Sequence, residues 1–116
     1  MSALFDAARH EPSHVTTWEE AQARAAIQSI VEDAQDALGT GLTWPWHPLD
    51  TNDVTEPPHK SLYLGSAGTL WALSYLEREG AVGLRIRPAA LIDAIHRRYL
   101  EEPDTGEVVP SHFLGE

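Results

Sequence analysis

A histidine-rich run near the start of the chain is the first segment whose residue types could do chemistry. Residues 10–14 read His-Glu-Pro-Ser-His, which matches the H-E-x-x-H pattern of zinc proteases. In those enzymes both histidines lie on one face of a helix, and the glutamate acts as general base. Pro12 separates the two histidines and would break such a helix, and no third ligand follows at a recognisable spacing. We therefore interpret this run as a coincidental polar segment and assign it no metal ligand and no catalytic residue.

A short acidic stretch could be taken for a calcium-binding loop. Residues 50–53 read Asp-Thr-Asn-Asp, but Val54 stands where an oxygen ligand is needed, and no glycine follows it. Because a calcium loop of this type requires both features, the sequence predicts a solvated turn instead. The spacing of the remaining polar residues indicates neither a Ser–His–Asp arrangement nor a phosphate-binding loop.

Aromatic residues and histidines cluster in a proline-containing loop between residues 40 and 60. Trp44 and Trp46 flank Pro45, and His47 and His59 lie on either side of the loop's polar centre. Prolines exclude a regular helix here, and long ordered loops are often functional or interfacial. Two interpretations stay open: the tryptophans pack on helices while the histidines are exposed, or Trp44, Trp46 and His47 form a lip over a substrate cavity.

Composition narrows the classes of function to which the chain can belong. It has 116 residues, a formal net charge of -10 and no cysteine, so it contains no disulfide, no Cys-ligated zinc and no thiol nucleophile. Lys60 is the single lysine, and a net acidic chain binds phosphates poorly, so we expect no nucleic-acid partner. No apolar run approaches the roughly 20 residues of a membrane span, and residues 1–10 lack the basic start and apolar stretch of a secretory signal. These features predict a cytoplasmic protein that does not contact a membrane.

Apolar periodicity predicts a long one-sided helix over residues 18–38, that is, an amphipathic helix that buries a single apolar stripe. An N-terminal segment at 1–16 precedes it. Residues 17–20, Thr-Trp-Glu-Glu, match a capping box, and Gly39 is a natural left-handed stop. The predicted buried stripe comprises Trp18, Ala21, Ala25, Ile27, Ile30, Val31, Ala34 and Leu38.

Two further helices are predicted in the second half of the chain. Residues 66–79 are apolar nearly all round and end before Gly80, which is typical of a helix buried on most sides. Residues 88–102 begin with Pro88, a favourable first helical residue, and end before Pro103. Their single apolar stripe comprises Leu91, Ile92, Ile95, Tyr99 and Leu100. Since no stretch alternates like a strand, the chain is predicted to be all-α.

A five-residue pattern occurs twice, 50 residues apart. Residues 61–65 read Ser-Leu-Tyr-Leu-Gly and residues 111–115 read Ser-His-Phe-Leu-Gly. Each copy follows a one-sided helix and a proline-containing loop, and self-similarity of this period is typical of helical repeats. The second copy ends without the apolar helix that follows the first. We therefore expect the chain to be the N-terminal part of a longer protein; the alternative is a complete small bundle whose tail matches by coincidence.

The first copy and the helix after it resemble the first glycine motif of the lanthionine synthetase C-like family. Residues 61–73 read Ser-Leu-Tyr-Leu-Gly-Ser-Ala-Gly-Thr-Leu-Trp-Ala-Leu, and the family motif reads roughly Leu-Tyr-x-Gly-x-Ala-Gly before an apolar helix. Residues 42–45 (Leu-Thr-Trp-Pro) are also similar to that family, and residues 111–116 resemble its second glycine motif. The resemblance covers about residues 17–116.

The resemblance implies an α/α toroid, in which an outer ring of helices encloses an inner ring whose helices begin at glycine motifs. Residues 18–38 and 88–102 would be outer helices, residues 66–79 the first inner helix, and Gly65, Gly68 and Gly115 structural glycines. Lacking a Cβ, glycines permit unusual backbone angles and close approach of another element.

The resemblance also implies a chemistry: the zinc-dependent addition of a cysteine thiol to a dehydrated serine or threonine in a peptide. The family's zinc ligands are two cysteines and a histidine in a later part of its chain, so this cysteine-free segment is expected to be non-catalytic scaffold and cavity wall. Exposed apolar helix faces are expected to drive self-association of the segment. The alternatives are a non-enzymatic helical binding domain, or another α/α-toroid enzyme such as a carbohydrate-active one that uses carboxylates.

Overall fold

Three helices make up the regular structure of the part of the chain that the structure describes. The computed structural model describes residues 14–47 and 57–108, with α1 at Glu20–Asp36, α2 at Ser66–Arg78 and α3 at Pro88–Glu101. Within these two ranges there is no strand, so the prediction of all-α structure is confirmed for them. No helix in the described part of the chain is both long and apolar enough to cross a bilayer.

Helix α1 is shorter than predicted because neither of its expected end signals is used. The capping box at 17–20 does not form: Glu19 is the N-cap and makes no side-chain capping bond, so the helix begins at Glu20. At the other end the backbone of Ala37 is right-handed, and Gly39 is not among the residues with positive φ. Leu42 (φ 61°) adopts the left-handed conformation instead, in a turn closed by a hydrogen bond from Gly39 N–H to the Thr43 carbonyl (3.0 Å).

The core lies where α1 meets α2 and the connection that follows α2. Val31, Leu73 and Val82 form its buried centre. The partly buried residues packed around them are Ile27, Ala34, Trp44, Leu76, Ala81, Leu84 and Ile86. Trp18 and Ile30 of the predicted stripe are largely exposed, and Ala21 and Ala25 are exposed as well. Trp18 precedes the first residue of α1, and the face of α1 that meets the core is the one that carries Ile27, Val31 and Ala34.

Gln35 fastens α1 to the segment between α2 and α3. Its side-chain oxygen accepts hydrogen bonds from the backbone N–H groups of Arg85 (2.6 Å) and Ile86 (3.2 Å). The Arg85 side chain forms an exposed ion pair with Asp36, which is next to Gln35 in sequence (2.6 Å). The hydrogen bond to the Asp36 carboxylate and its negative charge raise the pKa of the Arg85 guanidinium. One buried amide thereby orders the connection that leads into α3.

The other helix ends follow their local signals. Gly80 has φ 72° and follows the end of α2, as a left-handed glycine stop should. Pro88 opens α3 in the first turn, where its missing N–H costs nothing. In α3, Ile95 and Tyr99 are buried, whereas Ile92 and Leu100 of the predicted stripe are exposed.

Helix α2 is covered on one side only, so the prediction of burial on most sides is wrong for this structure. Ser66, Leu70 and Leu73 are buried against the neighbouring elements. On the other side Trp71 and Tyr75 are exposed and stack on each other with ring centroids 5.9 Å apart. Two one-sided helices cannot surround a third that is apolar all round, and this leaves an apolar face open.

Candidate functional site

The loop before α2 folds back so that its own carbonyls cap the start of the helix. The N–H of Ser66 donates to the His59 carbonyl and the N–H of Ala67 donates to the Lys60 carbonyl, both at 3.1 Å. The Ser66 hydroxyl donates to the same His59 carbonyl at 3.3 Å. Residues 59–65 therefore form a tight cradle against the first turn of α2, and they satisfy N–H groups that no side chain caps.

Both glycines of the motif are required by this close packing. A Cβ added at Gly65 would overlap the His59 carbonyl, and one added at Gly68 would overlap the Leu62 carbonyl oxygen. Neither residue has a positive φ; Gly65 is extended (φ −141°, ψ −159°). Of the two reasons that the sequence offered for glycine, close approach applies and unusual backbone angles do not. Gly115 lies outside the described residues.

A buried ion pair holds the cradle to the segment after α3. The ammonium of Lys60 lies 2.7 Å from Asp104 Oδ1, with side chains only 8% and 3% exposed. Asp104 Oδ2 accepts the backbone N–H groups of Lys60 (2.6 Å) and Ser61 (3.0 Å). Sequence reasoning missed this pair, and the one signal for it was that Lys60 is the single lysine of an acidic chain.

The predicted lip residues lie beside the cradle, but Trp44 has a different environment from the other two. Trp44 packs against the core, and its Nε1–H donates to the Ala34 carbonyl of α1 at 2.6 Å. Trp46 is half-buried and His47 is exposed, and the Trp46 ring meets that of His59 edge-on at 4.8 Å. The structure therefore places Trp44 as an anchor for the loop that carries Trp46 and His47.

A groove of about 530 Å³ runs between this loop and the cradle. We call it the aromatic groove; its lining residues are Trp44, Pro45, Trp46, His47, Pro58, His59, Tyr63, Leu64, Gly65, Ser66 and Thr69. Its size and its mixture of aromatic rings with a few polar groups are typical of a small-ligand or peptide side-chain site. Its described lining contains two histidines but no carboxylate.

A second groove of about 730 Å³ lies on the uncovered side of α2 and shares the residues from Tyr63 to Gly65 with the first. It is lined by Leu62, Tyr63, Leu64, Gly65, Gly68, Thr69, Trp71 and Ala72. Its described lining contains no Asp, Glu, His, Lys or Arg, so this groove mainly offers apolar contact.

The residues present do not fit a zinc site of the kind that the family resemblance implies. The sequence has no cysteine, and the described ranges contain no group of three His, Asp or Glu side chains that could hold a metal. Of the H-E-x-x-H run, His14 lies in an exposed, non-helical segment, and its first four residues fall outside the described ranges. The acidic stretch at 50–53 falls outside them as well.

The family resemblance rests on the motif residues alone. No family model, no curated protein and no solved structure matches the chain.

Proposed function

We propose that this chain is the N-terminal segment of a lanthionine synthetase C-like protein, with α2 as the first inner helix of an α/α toroid and α1 and α3 as outer helices. The observation that carries the proposal is the packing of Gly65 and Gly68 on the carbonyls of His59 and Leu62. The same two glycines carry the resemblance, and they stand where the family's glycine motifs stand, at the start of an apolar helix.

The distribution of apolar surface supports the same assignment of helices. α1 and α3 each bury one side, through Val31 in α1 and Ile95 and Tyr99 in α3. α2 buries one side and leaves Trp71 and Tyr75 open on the other. An inner helix of a double ring would contact outer helices on its first side and neighbouring inner helices on its second.

In this proposal the segment is scaffold and cavity wall rather than catalytic machinery. The parent would join a cysteine thiol to a dehydroamino acid of a peptide, and its zinc ligands would lie outside these 116 residues. The aromatic groove would contribute apolar contacts to the peptide through Trp46 and Tyr63. The proposal includes a cytoplasmic place of action and no nucleic-acid partner.

A non-enzymatic binding domain is the second candidate, and the aromatic groove itself favours it. A groove of ligand size that lacks carboxylates in its described lining suits apolar recognition without chemistry. A carbohydrate-active toroid would instead need a pair of carboxylates facing its cavity, and the described lining of neither groove supplies one.

The test compares the 116-residue chain with the full product of its gene on a peptide that contains one cysteine and one dehydroalanine. Addition forms a bond between the cysteine sulfur and the dehydroalanine β-carbon, and the α-carbon takes the proton, so the peptide mass is unchanged while the free thiol disappears. Thiol alkylation and elemental analysis for zinc are the readouts. With the full product we expect bound zinc and disappearance of the free thiol. With the 116-residue chain we expect no bound zinc and an unchanged thiol.

Two results would overturn the proposal. A full product that continues the helical repeats, binds no zinc and leaves the thiol free would favour the binding domain. Stoichiometric zinc on the 116-residue chain alone would show that the segment is not mere scaffold.

A further inference from the structure

We infer that the uncovered face of α2 is a self-association surface that takes a second copy of this chain. We call this surface the open face and define it by the exposed residues Leu62, Tyr63, Leu64, Trp71 and Tyr75. The inference concerns the 116-residue chain by itself and does not rest on the proposed function, under which neighbouring inner helices would cover the same face in the longer protein.

The open face is a part of the described chain where two copies can meet without bringing charged side chains together. The chain has a net charge of -10, so most contacts between two copies bring like charges together. Residues 61–76 contain no charged residue. Because a two-fold contact uses the same patch on both copies, an uncharged patch is a surface that an acidic chain can present to itself.

The exposed area is sufficient for a specific dimer. Trp71 is 63% and Tyr63 67% exposed. With the two leucines and Tyr75, the open face offers about 600 Å² on each copy. Two copies that covered this area completely would bury about 1,200 Å², the lower end of the range for specific interfaces, where weak and transient complexes lie. We expect a weak dimer, with a dissociation constant on the order of micromolar.

The open face combines large exposed rings with a groove of a size to receive them. The apolar groove on the same side of α2 is lined by small residues, Gly68, Thr69 and Ala72, as well as by large ones. The Trp71 ring is stacked on Tyr75, and the Arg78 guanidinium lies 5.2 Å from the Tyr75 ring centroid, so these rings are already ordered. In an isologous contact, Trp71 of each copy can enter the groove of the other.

Sedimentation and light scattering of the 116-residue chain test the inference. At about 200 μM, well above a micromolar dissociation constant, we expect a mass twice the 12.8 kDa of one chain. Raising the salt concentration should strengthen the dimer, because it screens the repulsion between two acidic chains. Trp71→Glu should weaken it about thirtyfold or more, the loss typical of an interfacial tryptophan.

Ile30→Glu is the matched control, since Ile30 is equally exposed but lies on α1, away from the open face. It should leave the dimer intact. Tyr63→Ser is a second variant in the face, and circular dichroism checks that each variant is folded. A monomer at about 200 μM, or a dimer that Trp71→Glu and Tyr63→Ser leave unchanged, would overturn the inference. Association that Ile30→Glu weakens as much as Trp71→Glu would overturn it too.

Discussion

The Asp104 carboxylate lies 2.7 Å from the Lys60 ammonium, and this buried pair joins the end of α3 to the cradle before α2. The same carboxylate accepts the backbone N–H groups of Lys60 and Ser61. One acidic residue thus satisfies three donors at the loop that positions both motif glycines. The geometry of the candidate site therefore depends on a residue 44 positions away in sequence.

Asp104→Asn should destabilise the protein strongly, because it leaves the Lys60 charge buried without its partner. We expect a loss of about 3–5 kcal/mol in the free energy of unfolding, measured by urea denaturation. Asp36→Asn is the control, since it breaks the exposed pair with Arg85, which solvent screens, and it should change the free energy of unfolding far less. Equal losses from the two variants would contradict a structural role for the buried pair.

Gly68→Ala should also destabilise, against the preference of a helix for alanine. Helix propensity alone predicts a gain of about 1 kcal/mol. The overlap of the new Cβ with the Leu62 carbonyl should instead produce a loss of about 1–3 kcal/mol in thermal or urea unfolding. Gly83→Ala, where nothing lies within 4 Å, should be neutral or slightly stabilising. A more stable Gly68→Ala variant would show that the cradle does not pack as described.

Gln35→Met should loosen the connection between α2 and α3. The methionine fills similar space but leaves the N–H groups of Arg85 and Ile86 without their acceptor, at a cost of about 1–3 kcal/mol. Gln35→Glu keeps an acceptor at the same reach and should retain most of the stability. Hydrogen exchange of these two amides is the direct readout, and protection that survives in Gln35→Met would refute the role of the amide oxygen.

Glu19→Ser should stabilise α1. Glu19 is the N-cap but makes no side-chain capping bond, and a serine there should add about 0.5–1 kcal/mol. Thr17→Ala should change the stability by less than about 0.5 kcal/mol, as a surface substitution usually does. If the capping box formed, the same substitution would cost about 1 kcal/mol. Melting temperatures of the two variants separate these cases.

The helices could be predicted from sequence because their signals are local. Val31 and Leu73 stand in clear apolar patterns, and Gly80 and Pro88 act through their own backbone preferences. Two predicted helix ends were wrong although each also relied on a local signal. Thr17 could have capped α1 and Gly39 could have ended it, but the structure uses neither residue in that way. Periodicity gave the type of each element more reliably than its ends.

The site could be predicted only in part because its key contacts join distant residues. The motif glycines were identified, but the carbonyls that exclude their side chains belong to the preceding loop, and no pattern indicates that contact. The Lys60–Asp104 pair and the bond from Trp44 to the Ala34 carbonyl depend on tertiary packing. The exposure of Trp71 depends on which elements cover α2, and that is not encoded within α2 itself.

The intact mass of the protein isolated from its source tests most directly the claim that this chain is one segment of a longer toroid. We predict a single polypeptide much heavier than the 12.8 kDa of these 116 residues, with their peptides at its N-terminal end. A polypeptide of 12.8 kDa would contradict the claim.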